Sequence, residues 1–144
     1  MSGKVEVRTV PKPWGHETIW ASNEKYVGKI LHIKAGHALS VQYHNLKDET
    51  IHLLSGKMIY RVGAMEDGGS RIDAAAGSRP QPPGAKPSLT VVQLNAGESF
   101  RNEPGTIHQM EAVTDCVLLE ASTPHLDDVV RLSDRYGREG TSAP

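Results

Sequence analysis

Short strand-like runs, with almost no helical periodicity between them, constrain the fold of this chain most strongly. β-Branched and aliphatic residues recur over five or six positions at a time, and Gly, Pro, Asn or Asp bounds each run. Only residues 126–136 suggest a short helix or turn. Strands that follow one another without helices favour a closed barrel or a sandwich, so the sequence predicts an all-β fold. The runs are 29–33, 39–44, 50–54, 58–62, 89–94 and 116–121.

The length of 144 residues predicts a single domain with one core. Within it, we expect residues 1–25 to form an N-terminal arm and residues 139–144 to form a tail. Residues 64–88 are rich in Gly, Pro and Ser and poor in apolar side chains, which predicts a long flexible loop. Such a loop is either a tolerated surface insertion or a lid beside a site.

Charge and composition bear on the partners of the chain. The formal net charge is −1 and only seven side chains are aromatic, which argues against phosphate tracking and base stacking on a nucleic acid. The sequence has neither an apolar run of about 18 residues nor a secretory signal, which argues against a membrane partner. We therefore expect a cytoplasmic protein that binds neither nucleic acid nor membrane.

Three polar residues with donor atoms lie between Gly36 and Gly56. Gln42 and His44 are two positions apart, so on a strand their side chains point to the same face. Glu49 follows after a turn and begins the next strand-like run. An amide oxygen, an imidazole and a carboxylate can therefore converge on one point.

A second segment adds a fourth donor. His108 follows the Pro104-Gly105 turn, at the start of another apolar strand. Together with Gln42, His44 and Glu49 it predicts a mixed nitrogen and oxygen site for one divalent ion. Zinc suits this set, and nickel, manganese and iron are the alternatives.

These two segments resemble the paired motifs of the cupin superfamily, in which a His-x-His pair and a Glu lie between glycines and a second motif reads Pro-x-Gly-x-x-His. Here Pro104 directly precedes Gly105, so the proline is shifted by one position. Gln42 stands where the commonest cupins have their first His, and this Gln-x-His variant is typical of phosphomannose isomerases. Other parts of the chain look like the cupin domain of the type II mannose-6-phosphate isomerases, although Lys12 and Lys47 replace arginines usual there. The parts of the chain that look like this domain are residues 12–15, 39–44 and 127–138. The resemblance implies a double-stranded β-helix, or jelly-roll barrel.

The resemblance also implies a function. It points to a metal-dependent sugar-phosphate isomerase that interconverts an aldose and a ketose, with a phosphorylated sugar as its small-molecule substrate and a homodimer as its possible assembly. Glu120 and Arg131 match an acidic residue and an arginine near the substrate site of that family. Lys29 falls on the same inward face and could hold phosphate or help to move a proton. The alternatives are a metal-binding cupin of other chemistry, such as a dioxygenase or an epimerase, and a sugar-binding cupin without turnover.

Overall fold

The computed structural model describes residues 1–65 and 87–140, and for residues 64 and 65 it describes the backbone alone. Strands dominate these residues, and turns bound most of them. The strands are β1 (Arg8–Lys12), β2 (Gly15–Ser22), β3 (Val27–Ile33), β4 (Val41–Tyr43), β5 (Glu49–Ser55), β6 (Lys57–Met65), β7 (Pro87–Asn95), β8 (Ser99–Asn102), β9 (Ile107–Ala112), β10 (Cys116–Ser122) and β11 (Val130–Ser133).

The strands form two antiparallel sheets with a common core. One sheet has the strand order β1-β2-β3-β10-β5-β8, and the other has the order β11-β4-β9-β6-β7. Ile51, Leu53 and Leu118 from the first sheet pack in one cluster with Met58 and Tyr60 from the second, and all five are at most 1% exposed. The all-β prediction is confirmed. Among the described residues, no helix has the length and apolarity needed to cross a membrane.

The alternation along β5 and β10 places charged groups at one end of the core. Leu118 and Glu120 are buried on β10, whereas Leu119 between them is exposed. On the neighbouring strand, Ile51 lies opposite Glu120, and Glu49 occupies the next inward position. Because side chains alternate with a period of two, the inward rows are apolar at one end and charged at the other. A polar site therefore lies at one end of the core.

The prediction of a short helix or turn at 126–136 is wrong in part, because β11 occupies Val130–Ser133. This strand pairs with β4, and Arg131 lies opposite Gln42. Val130 packs outward against a small apolar cluster while Arg131 is buried, which is the alternation of a strand. Pairing with β4 therefore decides the local structure over its weak helical pattern.

The predicted arm and loop contain strand residues. Within the range 1–25, β1 and β2 belong to the six-stranded sheet, and Trp14 between them is buried in the core. Within the range 64–88, residues 64–65 end β6 and residues 87–88 begin β7. The rest of the predicted loop, 66–86, lies outside the described residues, as do residues 141–144 of the predicted tail.

Candidate metal centre

His44, Glu49 and His108 converge at the charged end of the core, and we refer to them as the His-Glu-His group. His44 directly follows β4, Glu49 begins β5, and His108 lies on β9. Glu49 Oε1 is 3.1 Å from Nε2 of His44 and 3.1 Å from Nε2 of His108. The three side chains are buried, and their ligand atoms all lie within 4.8 Å of one another. This group could hold a metal ion.

The outer nitrogens of both rings fix the direction of the inner ones. His44 Nδ1 lies 2.5 Å from the carbonyl oxygen of Asp128, and His108 Nδ1 lies 3.0 Å from that of Thr106. A carbonyl oxygen only accepts hydrogen bonds, so each Nδ1 carries a hydrogen and donates it. In the neutral ring, Nε2 then presents a lone pair to Glu49. Ring nitrogens held by such outer hydrogen bonds are typical metal ligands.

The Glu49 carboxylate is also an acceptor, so its Oε1 and the two Nε2 atoms point lone pairs at one another and repel. Burial alone would raise the pKa of Glu49, but the Lys47 ammonium beside it holds that pKa well below its usual range. Within the described residues, His108 Nε2 makes no hydrogen bond, although Glu49 Oε1 is near. A proton or a cation between these atoms would relieve the repulsion. The donor set therefore fits a divalent metal ion.

A buried chain of hydrogen bonds orients the Glu49 carboxylate. Tyr60 Oη donates to Asn102 Oδ1 at 2.6 Å, and Asn102 Nδ2 donates to Glu49 Oε1 at 3.3 Å. Tyr60 and Asn102 are fully buried, and burial raises the pKa of Tyr60 well above its usual value. The phenol therefore stays a donor, and Asn102 must turn its amide nitrogen toward Glu49.

Asp128 anchors the loop that carries His44 into the site. Its carboxylate accepts hydrogen bonds from the backbone N–H groups of Asn45, Leu46 and Lys47, at 3.0, 2.6 and 2.9 Å. Its own carbonyl oxygen binds His44 Nδ1. One residue therefore sets both the loop conformation and the orientation of the His44 ring.

A cavity of about 250 Å³ opens beside the His-Glu-His group. His108 is fully buried and does not line the cavity. Six of the seven residues that the sequence predicted for the site line this cavity. They are Gln42, His44, Glu49, Lys29, Glu120 and Arg131.

Gln42 reaches this cavity from β4, where it lies opposite both His108 on β9 and Arg131 on β11. Its Oε1 accepts a hydrogen bond from Ser40 Oγ at 3.1 Å. The amide oxygen is thus an accessible donor atom on the same wall as the His-Glu-His group. Its role as a fourth ligand stays a prediction.

Positive charge exceeds negative charge in the lining of the cavity. Lys29 Nζ lies 3.3 Å from Glu17 Oε1, and Lys12 Nζ lies 3.8 Å from the same atom. Burial lowers the pKa of Lys12, Glu17 only partly opposes this effect, and the nearby Lys29 and Arg131 lower the pKa further. Six cationic side chains face four carboxylates here, which favours an anionic ligand. The cations are Arg8, Lys12, Lys29, Lys47, Arg131 and Arg138, and the carboxylates are Glu17, Glu49, Glu120 and Asp127.

Sequence reasoning missed the roles of several residues around the site. The sequence does hold a signal for Lys47: it precedes Glu49 by two positions, so the two side chains could point to the same side. No sequence pattern indicates a role for Asn102 or Tyr60. The pairing of β5 with β8 brings Asn102 to Glu49, and the packing of the two sheets brings Tyr60 to Asn102. Asp128 likewise reaches the 45–47 loop from a distant part of the chain.

Comparisons with known proteins show the fold of the chain. No protein-family model and no curated protein matches the sequence. Among solved structures, an RmlC-like cupin from Shewanella frigidimarina superposes with a TM-score of 0.58 at 15% identity, over 83% of this chain and 85% of its own. The fold is that of the cupins.

Two longer proteins contain a similar unit. A CapF chain with the inhibitor 3-isopropenyl-tropolone has a TM-score of 0.63 and 15% identity, over 88% of this chain and 34% of its own. Oxalate decarboxylase of Bacillus subtilis, a protein with Mn(II) centers, has a TM-score of 0.62 and 17% identity, over 86% of this chain and 29% of its own. The chain thus spans about a third of these longer proteins, and identities this low support the shared fold alone.

Proposed function

We propose that the protein is a divalent-metal-dependent enzyme that interconverts an aldose phosphate and the corresponding ketose phosphate. The observation that carries this proposal is the buried His-Glu-His group, whose acceptor atoms face one another at the wall of a cation-rich cavity. A metal site next to an anion-attracting cavity suits a phosphorylated sugar that offers oxygens at one end and a phosphate at the other.

The ion would be held by Nε2 of His44, Nε2 of His108 and Oε1 of Glu49, with the Gln42 amide oxygen as a fourth donor. Two imidazoles with two oxygen donors suit zinc, and nickel, manganese or iron are alternatives. When bound, such an ion supplies a Lewis acid for the carbonyl and the adjacent hydroxyl oxygen of the sugar.

Proton transfer falls to the chain itself, because isomerisation moves a proton between two neighbouring carbons. Glu120 is the proposed base, since its carboxylate lines the cavity and is only 5% exposed. Lys29 lies directly opposite Glu120 in the pairing of β3 with β10. From there it can hold the sugar oxygens while Glu120 takes and returns the proton.

Arg131 is the proposed grip for the phosphate. Its side chain is buried on β11 and lines the cavity, and Lys12 contributes further positive charge nearby. A guanidinium can bind a phosphate through two parallel hydrogen bonds, which fixes the orientation of the substrate as well as its position.

The test combines metal analysis with a panel of sugar phosphates. We expect purified wild-type protein loaded with zinc, manganese, nickel or iron to convert mannose 6-phosphate or another hexose or pentose phosphate. E120Q should keep its metal and lose turnover, because it retains the shape of the side chain without a base. A metal-replete protein that converts none of these sugars would reject the isomerase proposal, and oxygen uptake with a diketone or thiol substrate would support the dioxygenase alternative.

A further inference from the structure

Lys47 carries a buried positive charge between two carboxylates of the site. It lies in the loop between β4 and β5 and is only 5% exposed. Its ammonium lies 3.2 Å from Glu49 Oε2 and 3.0 Å from Glu120 Oε2. Removing an ammonium from water is costly unless close carboxylates compensate for the lost hydration. The ion pairs therefore hold all three side chains in one arrangement.

The two oxygens of Glu49 face different partners as a result. Oε1 faces both ring nitrogens of the His-Glu-His group and accepts a hydrogen bond from Asn102. Oε2 faces Lys47. The carboxylate thus offers one oxygen to the rings, while the other is held by the ammonium.

The backbone of Lys47 is anchored as well as its side chain. Its N–H group donates to Asp128 Oδ2 at 2.9 Å, in the same cluster that holds the neighbouring loop residues. The two ion pairs and the anchored backbone therefore fix the ammonium between Glu49 and Glu120.

We infer that Lys47 is a positioning residue that keeps Glu49 a one-oxygen ligand and holds Glu120 beside the metal centre. This inference rests on the proposed function and deepens it, since it gives one side chain control over both the ligand and the proposed base. Nothing in the role requires Lys47 to touch the substrate.

Two roles for this cation predict opposite effects on metal binding. If Lys47 acted only as a nearby positive charge, its removal would strengthen the binding of a divalent cation. If it positions Glu49, its removal frees Oε2 and lets Glu49 and Glu120 repel each other, which weakens binding. The sign of the change in affinity separates the two roles.

The experiment measures zinc and cobalt affinity by calorimetry and the visible absorption of the cobalt-loaded protein. We expect K47M to bind metal about 10 to 100 times more weakly, as is usual when a group that orients a ligand is lost. Its cobalt bands should also weaken, because a Glu49 that binds through both oxygens raises the coordination number. K47R, which keeps the charge, should restore most of the affinity. K57M changes an exposed lysine and should bind as wild type does.

The results that would contradict the positioning role of Lys47 differ from those that would contradict the proposed function. K47M that binds metal as tightly as wild type, or more tightly, with unchanged cobalt bands would overturn the positioning role. Circular dichroism checks that K47M folds. If it does not fold, K47M/E120Q replaces it, because that double variant keeps the net charge of the cluster. It too should bind metal more weakly than the wild type. Wild-type protein that binds metal but converts no sugar phosphate would reject the isomerase alone, whereas protein that takes up no metal would reject the metal centre.

Discussion

Gln42 lies directly opposite His108 where β4 pairs with β9. Opposed residues of an antiparallel pair project from the same face of the sheet, with their Cβ atoms about 5 Å apart. The amide of Gln42 therefore lies on the same side of the sheet as the His108 ring. A neutral amide oxygen is a weaker donor than an imidazole, so we expect the ligands to contribute unequally.

Removal of both imidazoles should abolish stoichiometric metal binding. In H44A/H108A only Glu49 and Gln42 would remain, whereas Q42A should lose about tenfold in affinity, or about 1.4 kcal/mol. Metal analysis after dialysis and calorimetry measure both effects. H52A is the matched control, because His52 binds Ser99 away from the site. Stoichiometric metal in H44A/H108A would place the ion elsewhere, and unchanged affinity in Q42A would remove Gln42 from the ligand set.

N102A should weaken both the fold and the metal site. The substitution leaves the buried Tyr60 hydroxyl without its acceptor, which costs about 1–3 kcal/mol in the free energy of unfolding. It also releases Glu49, so metal affinity should fall by about 10 to 100 times. Urea unfolding in the presence of a chelator isolates the first effect, because bound metal would itself add stability.

Y60F separates the two parts of this prediction. It removes the hydroxyl that orients Asn102 but leaves the amide contact with Glu49 in place, so its metal affinity should fall less than that of N102A. Equal losses in the two variants would contradict a specific role for the contact between Asn102 and Glu49.

Asp134 should make stability depend on pH in the acid range. Burial alone would raise the pKa of Asp134, but hydrogen bonds from Arg138 outweigh this effect and lower it below 3.8. A carboxylate with a lowered pKa in the folded state stabilises that state above its unfolded pKa, and the contribution is lost as the pH falls through the folded value. The free energy of unfolding of the wild type should therefore decline more steeply than that of D134N below about pH 4. Parallel urea titrations at several pH values check this, and identical slopes would contradict it.

The fold was predictable because its signals are local. Strand-length runs with a period of two mark β3, β5 and β10, and the turn at Pro104-Gly105 places His108 at the start of β9. The strands β1 and β2 lie in the range predicted as an arm. The stretch that forms β11 was misjudged as a helix or turn, since its strand structure depends on pairing with β4, which lies far away in the sequence. Local patterns therefore predict strands better than they predict the partner of each strand.

The site was predictable in part for the same reason. His44 and Glu49 belong to one motif, and His108 belongs to a second that follows a recognisable turn. Asn102 and Asp128 act through contacts that only the pairing of strands and the path of the C-terminal segment create. The side chains proposed as ligands are thus visible in the sequence, whereas the residues that contact and orient them depend on tertiary structure.

Arg131 provides the sharpest test of the proposed substrate. It is buried, lines the cavity and lies opposite Gln42, so it can hold one end of a ligand whose other end reaches the metal centre. R131K keeps the positive charge but loses the two-pronged geometry, so kcat/KM for a sugar phosphate should fall at least about tenfold, or ~1.4 kcal/mol, mainly through KM. Metal content should not change. R101K is the matched control, because Arg101 is exposed and binds Asp48 instead. If R131K retains wild-type kinetics, Arg131 does not grip the phosphate, and if it loses metal, Arg131 supports the metal centre rather than the substrate.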